Sequence, residues 1–82
     1  MGIYFTYILQ SELSGKLYKG HTQDLATRLK SHNQGKTKST KSGIPWRLIY
    51  SESFTDRDSA VEREKYFKTA AGRRWIKKHL FD

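Results

Sequence analysis

The first apolar run, Ile3 to Leu9, is aromatic and β-branched, the composition of a strand. Ser14-Gly15 interrupts it before Leu17, Tyr18 and Gly20, so the chain is expected to open with two strands joined by a turn. From Gln23 to Asn33 the period changes, because Leu25 and Leu29 recur at helical spacing. Thr22 or Asp24 can cap that helix, and the polar Asn33-Gln34-Gly35 sequence ends it. Lys36 to Ser42 is enriched in Lys, Ser and Thr and reads as a loop. Beyond Pro45, the short apolar run Trp46 to Ser53 has the length of a third strand. Thr55 with Asp58 three residues on resembles a capping box at the start of a helix that should reach about Thr69. A last helix, roughly Gly72 to Leu80, would present Trp75, Ile76, His79 and Leu80 on one face. The order is β-β-α-β-α-α, an α+β arrangement in which a small sheet is stable only under a cover of helices.

Length narrows this further. The 82 residues make one domain, residues 1–82, with no room for a second. With no Cys and three scattered His (His21, His32 and His79), there is no disulfide framework and no zinc ligand spacing. Stability must come from packing, and the eleven aromatic residues supply much of the filling. The longest charge-free stretch, Met1 to Ser11, is too short to span a membrane and lacks a basic leader, which predicts a soluble, cytoplasmic protein without a membrane partner.

Some polar residues fall where the core should be. On a helix, Leu25, Arg28, Leu29 and His32 share one stripe, so a cation and an imidazole point toward the sheet. They either snorkel past the apolar edge or serve a site. In the second long helix Ala60, Glu64 and Phe67 form one stripe, while Glu62 faces away. An ionised Glu64 on that side needs compensation, either by pairing with Arg28 or by a divalent ion. Tyr7 and Tyr18, eleven residues apart on either side of the turn, are ordinary strand residues alone. Converging with Arg28, His32 and Glu64 on one sheet face, they would supply the parts of a phosphodiester hydrolase.

Those residues carry a resemblance. Phe5-Thr6-Tyr7, Tyr18-Lys19-Gly20, Asp24-Leu25, Arg28, His32-Asn33 and Glu62-Arg63-Glu64 follow in order the motifs of GIY-YIG nuclease domains. The chain looks like the short stand-alone bacterial type, similar to the amino-terminal domain of a bacterial excinuclease. The literal Gly2-Ile3-Tyr4 is a decoy, since Tyr4 lies fourteen residues before Tyr18. Phe5-Thr6 and Lys19 depart from the family's pattern but leave both tyrosines in place. The resemblance implies a three-stranded antiparallel sheet flanked by helices and metal-dependent hydrolysis of DNA phosphodiesters. It assigns Glu64 to a single Mg²⁺ or Mn²⁺, Arg28 to the developing phosphorane charge, and His32 to the phosphate or a tyrosine. Tyr7 or Tyr18 would orient or deprotonate the attacking water; a phenol with a pKa near 10 would need the metal, Arg28 or His21 to lower it. Gly20 would allow close backbone approach to a phosphate.

The charge pattern points to the same partner. The formal charge is +8, and eleven of the sixteen Lys and Arg fall in two segments. Lys36, Lys38, Lys41 and Arg47 make the first; Arg63, Lys65, Lys68, Arg73, Arg74, Lys77 and Lys78 make the second. Such a stripe is the footprint of nucleic acid, most simply DNA, with Gly20, His21, Lys36, Lys38, Lys41, Lys68, Arg73 and Arg74 as the expected contacts. Trp46 and Trp75 are read as core rather than as stacking platforms. So small a domain should have low intrinsic sequence specificity unless a protein partner or homodimer supplies it. The competing reading is a non-catalytic or partner-dependent nucleic-acid-binding module on the same fold.

Overall fold

The computed structural model describes residues 2–82. Strands β1 (Tyr4–Ser11), β2 (Leu17–Thr22) and β3 (Trp46–Phe54) form one antiparallel sheet in the order β2-β1-β3. Between β2 and β3 lie helix α1 (Leu25–Asn33) and a 3-10 segment, Lys38–Gly43. Helices α2 (Arg57–Phe67) and α3 (Ala70–Ile76) complete the expected β-β-α-β-α-α order, and α3 widens into a π-helical turn, Lys77–Phe81.

The unbroken apolar run at the start of the chain is explained by its place in the sheet. β1 is the central strand, and Thr6, Tyr7, Ile8 and Leu9 are all buried because both faces are covered. Tyr7 and Leu9 point to the α1 side, where they pack with Trp46, Tyr18, Leu25, Leu29, Ile44 and Leu48. Ile8 points the other way, into a cluster with Phe67 and Ile76 from α2 and α3. Thr6 also faces α2, and its hydroxyl donates to the Ala60 carbonyl at 2.7 Å, which satisfies a fully buried polar group. A bulge in the β1–β3 register after Ile8 brings consecutive residues Ile49 and Tyr50 to the α2–α3 side. Trp46 is buried and Trp75 packs on Tyr50 and Phe67, as core residues.

Several boundaries differ from the sequence expectation. Asp24 does cap α1, accepting from the Thr27 amide. At α2, however, the cap is Asp56, which takes the Ser59 N–H; an Asp side chain reaches the third amide with better acceptor strength than Thr55. The loop expected at Lys36 to Ser42 contains a 3-10 turn, fixed by the buried Thr40, whose amide and hydroxyl both donate to the Thr37 carbonyl. The last helix starts earlier than Gly72, at Ala70, because Thr69 caps it through the Gly72 amide.

Candidate active site

Tyr7 stands opposite Gly20 in the β1–β2 register, and its ring crosses β2 above that residue. A Cβ at Gly20 would lie 2.5 Å from the Tyr7 hydroxyl oxygen and 2.7 Å from Cζ, with Tyr18 Cε2 at 3.1 Å. The close neighbour that needs glycine here is therefore a phenol of the same chain.

At the end of this reach the Tyr7 hydroxyl meets two side chains of α1. Arg28 Nε donates to it at 3.3 Å, and His32 Nε2 lies 3.0 Å away. His32 does not snorkel; it is fully buried, with Nδ1 2.8 Å from Thr40 Oγ1. With the Thr40 hydroxyl directed to the Thr37 carbonyl at 3.3 Å, His32 Nδ1 is assigned as the donor in that pair. Nε2 is then an acceptor, and the Tyr7 O–H donates to it. The hydrogen bonds run in one direction: Arg28 to Tyr7, Tyr7 to His32, His32 to Thr40, Thr40 to the Thr37 carbonyl. Trp46 Nε1 donates to the Thr40 carbonyl at 2.7 Å and holds the far end still. The Asn33 amide clamps the start of β3, donating to the Trp46 carbonyl and accepting from its N–H.

The electrostatics agree with these assignments. Burial, helped by the Arg28 charge, holds His32 below the ordinary imidazole pKa, which keeps it neutral as the network requires. Burial likewise raises the Tyr7 phenol against the opposing influence of Arg28, and the Glu64 charge is close enough to add to the rise. The Arg28 cation is favoured by its hydrogen bond to Tyr7 against the cost of burial, and the Tyr18 hydroxyl adds to it. The Tyr18 and His32 ring centroids lie 4.8 Å apart. For His32 the unfolded chain binds a proton more readily than the folded one, so stability is full above pH 6.5, the ordinary imidazole value, and falls as pH drops below it. Urea midpoints at pH 7.5 and 5.5 should show that loss in the wild type and a smaller one in His32→Gln.

Glu64 is not on this face and does not pair with Arg28. Leu17, Lys19 and His21 alternate onto the α2–α3 side of β2, and His21 Nδ1 lies 2.6 Å from Glu64 Oε1. Lys68, one turn along α2, donates to Oε2 at 2.7 Å. The expected convergence on one sheet face is replaced by an arrangement around an edge: Tyr7, Tyr18, Arg28 and His32 above β2, Glu64, His21 and Lys68 below it. β2 is an edge strand, so nothing in the sheet separates the two groups beyond its own backbone. Burial works against ionisation of Glu64, but the hydrogen bonds from Lys68 and His21 outweigh it and hold the carboxyl below its usual range.

That carboxylate fits a divalent cation of the Mg²⁺ type. Each oxygen carries one hydrogen bond and keeps a lone pair, and Mg²⁺ commonly takes one or two carboxylates and completes its shell with water and substrate phosphate. No group of three or more His, Cys, Asp or Glu able to hold a metal occurs among the described residues; Glu64 would supply a carboxylate ligand, with water and substrate completing the shell.

The basic residues divide. Lys36, Lys38 and Lys41 are exposed around the 3-10 segment, on the Tyr18 side. Lys68, Arg73 and Arg74 are exposed on the α2–α3 side. Arg63 is withdrawn from the stripe: it is bonded to both Glu52 carboxylate oxygens and lies 4.6 to 4.9 Å from the ring centroids of Tyr66, Phe67 and Trp75. Sequence reasoning missed Thr40, which looks like any other residue of a Ser/Thr-rich loop, and the Asn33 clamp. The adjacency of Asn33 to His32 at a helix end was the one available signal.

Tyrosines on two paired strands, an arginine on the first helix and a glutamate reached across the edge strand are the frame of a GIY-YIG domain. The catalytic-domain profile of that family matches residues 3–79, and the chain belongs to the GIY-YIG family. It is 40% identical over 65 residues to a UPF0213 protein of Streptococcus agalactiae, covering 78% of this chain and 73% of that one. It is 45% identical over 69 residues to the UPF0213 protein YsiG of Lactococcus lactis, covering 83% and 65%. The solution structure of a UPF0213 protein of Bacillus halodurans superimposes with a TM-score of 0.56 at 28% identity, over 93% of this chain and 83% of that one. No helix among the described residues is long and apolar enough to cross a membrane.

Proposed function

We propose that the protein is a divalent-metal-dependent endonuclease that hydrolyses DNA phosphodiesters with low intrinsic sequence specificity. The observation that carries this reading is the one-way hydrogen-bond chain from Arg28 through Tyr7 into the buried neutral His32, set across an edge strand from an ionised Glu64. A structural ion pair would not need a guanidinium held by a phenol, nor a phenol held by a histidine.

The roles follow from geometry and charge. Arg28 spends its Nε–H on Tyr7 and keeps its other N–H groups for phosphate oxygens, where they stabilise the charge that develops at phosphorus. Tyr7 and His32 fix the guanidinium, the Tyr7 O–H donating to His32 Nε2 while its oxygen accepts from Arg28. Tyr18 is half-buried, with its hydroxyl near the Arg28 guanidinium, and it orients the attacking water. Glu64 would hold the metal, which when bound supplies a Lewis acid and a water of lowered pKa. His21 and Lys68 keep Glu64 ionised and aimed toward β2. Lys36, Lys38, Lys41, Lys68, Arg73 and Arg74 give the sequence-independent attraction for the DNA backbone.

Wild-type protein incubated with labelled single-stranded, duplex and branched DNA, and with RNA, in Mg²⁺, Mn²⁺ or EDTA tests the proposal. Shorter DNA fragments are expected in either metal and none in EDTA. Binding without cleavage of any substrate in any metal would favour the non-catalytic or partner-dependent module, and cleavage of RNA alone would replace DNA as the substrate.

A further inference from the structure

Between β2 and α3 lies an open groove of about 340 Å³ that neither the catalytic residues nor the 3-10 segment touches. It is lined by Lys16, Leu17, Lys19, Arg73 and Ile76. Its floor is apolar, and its rim carries three cations, none of which takes part in an ion pair among the described residues. Lys19 is the unusual member. It is half-buried, and its burial together with the charges of Arg73 and Lys68 makes its ammonium harder to keep. Lys16 and Arg73 are exposed beside it, so the groove presents three cations with no carboxylate paired to them among the described residues, which favours an anion there.

Position says which anion. Leu17, Lys19 and His21 are alternate residues of one strand face, so the groove leads directly to the His21–Glu64 pair, along an edge that no other strand covers. We infer that this groove holds one unpaired nucleic-acid strand next to the scissile phosphate, with phosphates on Lys16, Lys19 and Arg73 and a sugar or base on Leu17 and Ile76. Its volume is at the low end for small-ligand sites, room for a nucleotide at a time, and the apolar Leu17 and Ile76 suit the face of an unpaired base rather than the polar backbone of a duplex. The inference rests on the nuclease reading and adds a substrate class to it: DNA in which a single-stranded arm leaves a duplex close to the cut.

Binding in EDTA, where no cleavage is expected, tests the groove apart from catalysis. Wild-type protein should bind a duplex with a single-stranded tail about tenfold more tightly than the blunt duplex of equal length. The double variant Lys16→Gln/Lys19→Gln should lose that preference and lower the log–log salt slope for the tailed DNA by about 1.4, roughly 0.7 per single-strand phosphate contact. The variant Lys77→Gln/Lys78→Gln removes the same charge at the far end of α3 and should keep the preference. Equal affinity of the wild type for tailed and blunt DNA, no measurable binding of the tailed DNA, or equal losses in the two double variants would each overturn the inference. Metal-dependent cleavage surviving in any of those cases would leave the nuclease reading standing.

Discussion

Tyr7→Phe is expected to slow DNA cleavage by about 10²- to 10³-fold while leaving DNA affinity almost unchanged. The substitution keeps the ring that fills the space above Gly20 and removes only the hydroxyl. Two consequences follow from that oxygen's two partners. Arg28 loses the acceptor that holds its guanidinium, so the donors meant for the phosphate are no longer fixed. His32 Nε2, fully buried, loses its donor, which costs about 1–3 kcal/mol of stability for an unsatisfied buried acceptor. Single-turnover cleavage, fluorescence anisotropy for binding and urea unfolding separate these effects. A stability loss with cleavage per folded molecule within threefold of wild type would show that Tyr7, Arg28 and His32 only brace the fold.

The second large effect is on folding. At Gly72 an added Cβ would stand 1.9 Å from the Tyr66 carbonyl oxygen and 2.7 Å from Phe67 Cα, both backbone atoms that cannot step aside as a side chain can. Gly72→Ala must therefore push α3 away from the end of α2. With α3 goes the Thr69 cap, which bonds both the Gly72 amide and the Tyr66 carbonyl, and the burial of Ile76 against Ile8 and Phe67. We expect a loss of about 3 kcal/mol or more, a large part of the stability of a domain this size. Ala71→Ser, one residue away and exposed, should change the urea midpoint little. A Gly72→Ala protein as stable as wild type would mean that the α2–α3 corner is looser than described.

Much of this architecture was legible because one property dominated each element. The unbroken apolar run of β1 announced a strand, the Leu25–Leu29 spacing announced α1, and burial on the stripe of Ala60 and Phe67 followed from period alone. The candidate residues were also legible individually, since Arg28, His32 and Glu64 are expensive on apolar faces. Their grouping was not. A helical wheel places Arg28 and Glu64 toward the sheet but cannot say toward which side of it. The two lie above and below β2, so Glu64 finds His21 and Lys68 rather than Arg28. Thr40 escaped for a related reason: its importance comes from sitting eight residues after His32 on a turn whose shape depends on tertiary contacts. Arg63 sat in a basic stripe by sequence and proved to be caged by aromatics and Glu52, because the period of α2 turns it back onto β3 and α3.

The most direct test of the central claim is cleavage of one labelled DNA by wild type and by Glu64→Gln, in Mn²⁺ and in EDTA, with binding followed on the same samples. Metal-dependent cutting by the wild type alone, with comparable DNA binding by both proteins, is the expected result. Equal cutting by both proteins, or cutting by the wild type that persists in EDTA, would contradict it.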